Sequence, residues 1–523
     1  MTFIQLIIFI LAIQVIHFLG TWKLYKRAGR SPWQAAIPIY NAVILMRIIQ
    51  RPTWWTILLF IPIINLIMFP VIWVETARSF QKNTSTDTWL SILSLGFYLY
   101  YINYFTTTKY VGKRELNAQS KAGETVSSIL FAVVAATLVH TYVMQPFTIP
   151  TPSLEKSLLV GDFLFVSKFH YGAKTPQTPL ALPMVHDSIP LVGVKSYISD
   201  VKLPYFRLPG FQEIQRNDIV VFNWPVDTVR QFFDTSGKHY YKPIDKKSNY
   251  VKRAVGIAGD SLEIIDGYVH VNGKQIELPD RAKPQFSYMV QGKGQGFNPE
   301  FLRSRYNITD GISYYNKDKD QYYIKAMSEE SIKTFINHPN VKEVTRLFSP
   351  TDYKDDRIFP NNKKHTWNHD QMGPIYIPKA GQSVALNAES FGFYRRAIEV
   401  YEGEEMGIEQ VMSIEGDQVF INEKAVNEYT FKQDYYWMMG DNRHNSEDSR
   451  YWGFVPATHI VGKPVFIWLS IDPHASGLNK IRWDRMFTTV GGEGERTSYL
   501  PYFLIFVLIW IGYSTFKKRK KEA

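Results

Sequence analysis

NYVKRAVGIAGDSLEIIDGYVHVNGKQIEL (residues 249–278) carries the pattern that decides the fold. Its apolar residues alternate or run in short blocks bounded by Gly, Asp and Asn, the period of strands rather than helices. Asn272-Gly273 between apolar flanks is a strong hairpin signal. The same grammar extends outward to DFLFVSKF (162–169), NDIVVFNW (217–224), SVALN (383–387) and DQVFINEKAV (417–426). Residues 146–498 are therefore expected to form a mostly β domain. GYVHVNGKQI and DQVFINEKAV look alike, but two copies do not make a repeat protein. Residues 280–375 are polar and rich in loop signals, so 261–375 reads as a β/loop subdomain inserted between two halves of a β core, 146–260 and 376–498.

Outside this region the chain turns apolar. Residues 2–22 carry no charge and are long enough to cross a bilayer. A cleavable leader would need its basic residues first, whereas here Lys23, Lys26, Arg27 and Arg30 follow. Further spans are expected at 53–74, 88–106, 125–145 and 499–516, the last followed by a basic tail ending at Ala523. Placing 23–52, 107–124 and 517–523 inside puts every dense Lys/Arg cluster in the cytoplasm. The 75–87 loop and all of 146–498 then fall outside. Residues 34–50, interrupted by Pro38 and Asn41, read as interfacial or re-entrant. The formal charge of +11 belongs to these flanking clusters, which favours membrane lipid over nucleic acid as partner. The basic aromatic stretch KIRWDRMF (480–487) could rest on headgroups or be an ordinary packed segment. There is no cysteine, which removes disulfides, thiolate metal sites and a cysteine nucleophile together.

Three blocks could carry chemistry. In IPTPSLEKSLLVGD (149–162), Pro150 and Pro152 argue for a constrained extended segment or turn that could expose Ser153 as a nucleophile. The bland alternative is a solvated hydroxyl or a cap. In NYVKRAVGIAGD (249–260), Lys252 lies among Val251, Ala254 and Val255. Pointing inward, it loses proton affinity by desolvation and becomes a general base; pointing outward, it merely snorkels. GDNRHNSEDSRYWG (440–453) mixes Asp with Arg and reads as a buried salt-bridge and hydroxyl network. It lacks EF-hand spacing, and Arg443 and Arg450 would oppose a cation. His365 and His369 have i,i+4 spacing without the glutamate or third ligand of a zinc site. GKGQGF (292–297) lacks the Lys-Ser/Thr of a phosphate loop, Asn307-Ile308-Thr309 matters as a sequon only in a eukaryotic secretory route, and no GxSxG elbow occurs.

In this order and spacing, the three blocks resemble bacterial type I signal peptidases, the membrane-bound Ser/Lys proteases, over about 142–260 and 375–470. The resemblance implies a signal-peptidase-like β fold, Ser153 as nucleophile and Lys252 as general base. It places Ser446 as the hydroxyl that orients the lysine, Thr151 as an oxyanion-hole hydroxyl, and Asp441, Asp448 and Arg450 as supporting ion-pair positions. It also puts Ile149, Pro150, Leu154, Leu158, Tyr250 and Val251 around shallow pockets for small residues at −1 and −3 of a substrate strand. The implied reaction needs no metal or other cofactor. Its substrates would be signal peptides of exported preproteins, cut at the outer face of a bacterial cytoplasmic membrane near the secretion translocon. The nucleophile segment departs from the familiar Ser-Gly-Ser-Met-x-Pro-Thr, reading Thr-Pro-Ser-Leu-Glu-Lys-Ser, and His444 stands where Asp is frequent. Four spans before the catalytic domain exceed the usual one or two. Two other readings stay open: a non-catalytic membrane receptor or assembly factor with a β ectodomain, and a Ser/Lys protease dedicated to one partner.

Overall fold

The computed structural model describes residues 2–117, 120–229, 236–362 and 364–522; Met1 and the tail's last residue, Ala523, lie outside them. Contacts divide the chain into two units. One comprises 1–143, 174–208 and 241–246, the other 144–173, 209–240 and 247–523.

The first unit is helical. Among the described residues, three helices of the chain are long and apolar enough to cross a membrane: Phe3–Arg27, Lys121–Val143 and, in the second unit, Leu500–Lys520. The spans expected at 53–74 and 88–106 do not form as single helices. The first breaks into Trp55–Leu58 and Ile64–Ser79, the second into Ser85–Leu93 and Tyr98–Phe105. Pro62 disfavours helix at the residue before it, and Ile63 follows at φ 70°. In the other segment Leu95 and Gly96 turn left-handed at φ 51° and 85°. Ile64–Ser79, at 16 residues, extends only about 24 Å, short of a bilayer core of about 30 Å.

Nor does 75–87 sit on the far side from its flanks. The buried Glu75 carboxylate accepts from Arg51 Nε at 2.9 Å and from Arg114, with Arg78 at 3.4 Å. The positive-inside placement puts Arg51 and Arg114 inside and Glu75 and Arg78 outside; one shared carboxylate requires one side. Around this cluster the Tyr40–Ile48 helix buries Ile44, Leu45, Met46 and Ile48 together with Leu24, Tyr25, Ile72 and Ile102.

The second unit is built on an eight-stranded sheet in the order 144–148, 162–167, 460–470, 219–223, 249–256, 435–439, 455–456, with 488–489 paired to 460–470. Its paired strands run antiparallel. Ile219, Val221, Leu164, Val166 and Ile467 pack one core; Val220, Phe222, Ala254 and Met438 pack another. Strand alternation assigns neighbours to opposite cores.

The insert begins and ends on paired strands, Ser261–Ile265 against Met372–Tyr376, which close the excursion at its base. Asn272 and Gly273, at φ 52° and 78°, make the tight turn that follows, because both central residues of that turn type need positive φ. The look-alike DQVFINEKAV forms a similar hairpin, Gln418–Ile421 with Lys424–Val426. The polar stretch contains more order than its loop signals suggested: a four-stranded sheet in the order 341–346, 285–292, 321–328, 312–316. Phe286, Val290, Leu302, Ile308, Ile324 and Phe335 form its core. KIRWDRMF packs inward, since Arg485 pairs with the buried Asp162 and Arg482 NH1 donates to Val160 O at 2.9 Å; Trp483 alone of its aromatics is largely exposed.

Candidate active site

Residues 152–154 form one 3-10 turn, the second of the two conformations expected of this proline-flanked segment. Pro152 suits the first helical position, where its fixed φ fits and its missing N–H costs nothing. Thr151 precedes it in extended backbone, exposed, and its hydroxyl makes no capping bond. The turn tucks Ser153 inward until only 6% of it is exposed, so the residue is buried instead of standing on an open loop.

Facing it is Lys252, on the strand Asn249–Gly256. Alternation along that strand sends Tyr250, Lys252 and Ala254 to one face and Val251 and Arg253 to the other. Lys252 is 2% exposed, and its Nζ lies 2.6 Å from Ser153 Oγ. Burial pulls the amine down to about 8; Asp448 and Glu447 oppose the shift without cancelling it. A lysine in this state exchanges protons near neutral pH, where an exposed one stays charged.

The opposite face explains the Asp/Arg block. Arg253 grips the fully buried Asp441 with two bonds, Nε to Oδ1 at 2.8 Å and NH2 to Oδ2 at 2.7 Å. Burial alone would raise the Asp441 carboxyl, but the Arg253 guanidinium outweighs it and holds the group below the usual carboxylate range. Ser157 Oγ donates to the same carboxylate. Asp448 and Arg450, both 0% exposed, make a second bidentate pair at 2.8 and 2.9 Å, and Gly440 N–H donates to Asp448. Removing one partner of such a buried pair costs about 3–5 kcal/mol, because the other charge is left in low dielectric. The pairs therefore lock the 440–450 loop beside the 152–154 turn. Gly440 is needed there: a Cβ would meet Ser446 Oγ at 2.3 Å and Ser153 O at 2.5 Å.

Ser446 is brought into the site without the bond expected of it. Its hydroxyl is buried and bonds no polar atom among the described residues. Of the expected pocket residues, Ile149, Leu154 and Leu158 are core, 0–3% exposed, with Val251 packed on them. Tyr250 belongs to the other core, stacked 5.2 Å from Trp224, and Pro150 is exposed.

The histidines resolve differently from their spacing. His365 stacks on Trp367 at 4.2 Å, whereas His369, Asp370 and His444 bring their polar atoms within 4.8 Å of one another. His444 Nδ1 accepts from Ser287 N–H at 2.9 Å. Nε2 then carries the ring proton and donates to Asp370 at 2.8 Å, so it offers no lone pair to a metal.

Sequence reasoning missed Arg253, although its position next to Lys252 on an alternating strand places it on the opposite buried face, where a guanidinium needs a carboxylate. It also missed Asn442, Gln285 and Asp310, whose partners lie far away in the chain.

A family of unknown function (DUF5684) matches residues 33–113, within the helical unit. The signal peptidase, peptidase S26 family matches residues 122–334 and 352–469. Signal peptidase I of Haemophilus influenzae is 24% identical over 72% of this chain and 78% of its own length. That of Helicobacter pylori is 26% identical over 70% and 92%, and that of Buchnera aphidicola 24% over 66% and 77%. With the family covering more than half of the chain, and a hydroxyl and a buried amine facing each other inside the matched region, this protein belongs to the signal peptidase (peptidase S26) family.

Proposed function

We propose that this chain removes signal peptides from exported preproteins as a serine endopeptidase, with Ser153 as nucleophile and Lys252 as general base. The observation that carries the reading is the 2.6 Å approach of Nζ to Oγ by a buried amine. Neutral Lys252 takes the hydroxyl proton as Oγ bonds the scissile carbonyl carbon. The Thr151 hydroxyl and the Ser153 N–H stabilise the oxyanion. The C–N bond then breaks, the lysine returns its proton to the leaving amine, and an ester remains on Ser153. Lys252 next deprotonates water, which hydrolyses the ester and frees the enzyme. Ser446, with its hydroxyl unengaged, can turn toward the amine and hold it in line; Asp441, Asp448 and Arg450 keep its loop in place. The substrate lies extended along Pro150, Tyr250 and Val251, with side chains at −1 and −3 lodged above Ile149, Leu154 and Leu158. A receptor would have no use for a desolvated amine against a serine. Incubation with a preprotein should give cleavage at the leader junction, and the −1 Ala→Phe variant should not be cut. Equal cleavage of both would refute leader-type specificity.

The chain is membrane-associated, and we assign it three spans. Phe3–Arg27 enters from outside, Lys121–Val143 leads out, and Leu500–Lys520 returns. Dropping two spans from the five leaves the parity intact, so 144–499 still faces outward and every dense basic cluster inward. The catalytic domain then stands where leaders emerge from the translocon. Protease added to spheroplasts should digest the large domain and spare a tag placed after Ala523. A protected domain would overturn the orientation.

A further inference from the structure

The insert reaches the nucleophile turn at five points. Gln285 Nε2 donates to Glu155 O at 3.0 Å, and Lys283 N–H donates to Ser157 Oγ at 3.0 Å. Lys156 Nζ donates to Asn307 Oδ1 at 2.8 Å and Thr309 Oγ1 at 3.1 Å. The fifth contact is relayed. Asp310 Oδ2 accepts from Asn442 Nδ2 and from Asn445 Nδ2, each at 2.8 Å. Asn442 passes the restraint on: its Nδ2 donates to Pro152 O and its backbone N–H to Ser153 O, both at 3.1 Å. The two carbonyls flanking the nucleophile are thus held by one asparagine, and that asparagine is held by the insert.

Two features make the restraint consequential. Lys156 sits at φ 72°, a conformation costing a non-glycine residue about 1–3 kcal/mol, so the turn depends on outside contacts to stay as it is. The Asn442 amide is also held by its nitrogen end alone, because its Oδ1 is buried with no partner among the described residues. Flipped, it would set an oxygen against Pro152 O. An ionised carboxylate only accepts, so Asp310 fixes which end of the amide faces the turn. The Asp310 loop is itself anchored: it follows the Pro299–Tyr306 helix, and Ile308, 2% exposed, plugs into the insert's core.

We propose that Asp310, acting through Asn442, is a positioning residue for Ser153, which makes the 261–375 insert part of the catalytic apparatus. The proposal rests on Ser153 being the nucleophile. Asp310→Ala should lower kcat by about 10–100-fold, since a displacement of about 1 Å at the reacting atoms costs about 10²-fold, while KM shifts less than about threefold. Asp310→Asn keeps an acceptor oxygen and should recover most of the loss. The acid limb of the pH profile should not move, because Lys252 is untouched. If the role were only structural, thermal stability would fall while kcat per folded molecule stayed at the wild-type value; that result would overturn the proposal. Should Asp310→Ala fail to fold, Asn442→Ala, which cuts the same relay at its other end, should show the same kcat deficit, and a wild-type kcat there would equally overturn it. Ser153→Ala run in parallel separates the two failures. A dead Ser153→Ala beside a fully active Asp310→Ala rejects only this inference, whereas an active Ser153→Ala rejects the nucleophile assignment itself.

Discussion

Ser153→Ala is expected to abolish preprotein cleavage while the protein folds and inserts normally. The substitution removes one oxygen from a side chain 6% exposed and leaves the Asp441–Arg253 and Asp448–Arg450 pairs untouched. Loss of the nucleophile in a hydrolase whose groups act as a unit costs roughly 10⁴–10⁶-fold in kcat. Thr151→Ala should cost less, about 10²–10³-fold, the effect of losing one oxyanion donor. Thr151→Ser should retain most activity, because the hydroxyl stays. Steady-state assays on a purified preprotein distinguish these outcomes, and full turnover by Ser153→Ala would remove the basis for the mechanism.

Lys252 should show an effect of similar size and a diagnostic pH dependence. Its amine is lowered by burial to about 8 and must be neutral to accept the serine proton. The rate should therefore be flat above about pH 8 and fall about tenfold per unit below it, as the protonated fraction takes over. An unshifted lysine would place the same limb above pH 10. Lys252→Arg should be inactive, since guanidinium does not give up its proton and its planar head does not fit the same space. Lys252→Cys should be inactive too, but it would introduce the only thiol in a chain that has no cysteine. Aminoethylation of that thiol restores an amine at nearly lysine length and should recover measurable cleavage after refolding, against a wild-type protein carried through the same cycle. Normal cleavage by Lys252→Arg would move the base elsewhere, with Lys156 and Lys247 the next candidates. Both already have partners, Asn307 and Thr309 for one and Glu405 for the other.

Much of this protein was written locally. The period of two around 249–278 and the Asn272-Gly273 turn determine strands and a hairpin, because steric rules act over a few residues. Charge-free stretches such as 2–22 determine membrane helices for the same reason. Residues 53–74 and 88–106 misled because average hydropathy does not register a proline or a left-handed pair, and a helix breaks at single residues. Candidate roles for Ser153 and Lys252 also followed from their segments and the family they resemble. What a linear reading does not contain is the state of those groups. The low proton affinity of Lys252 exists only once the sheet buries it. Arg253 finds Asp441 only when a strand and a loop 188 positions apart in sequence meet. Asp310 restrains the Ser153 turn only because an insert with its own core folds back over it. Desolvation, ion pairing and positioning depend on distance in space, and chain separation puts no limit on that distance until the fold closes.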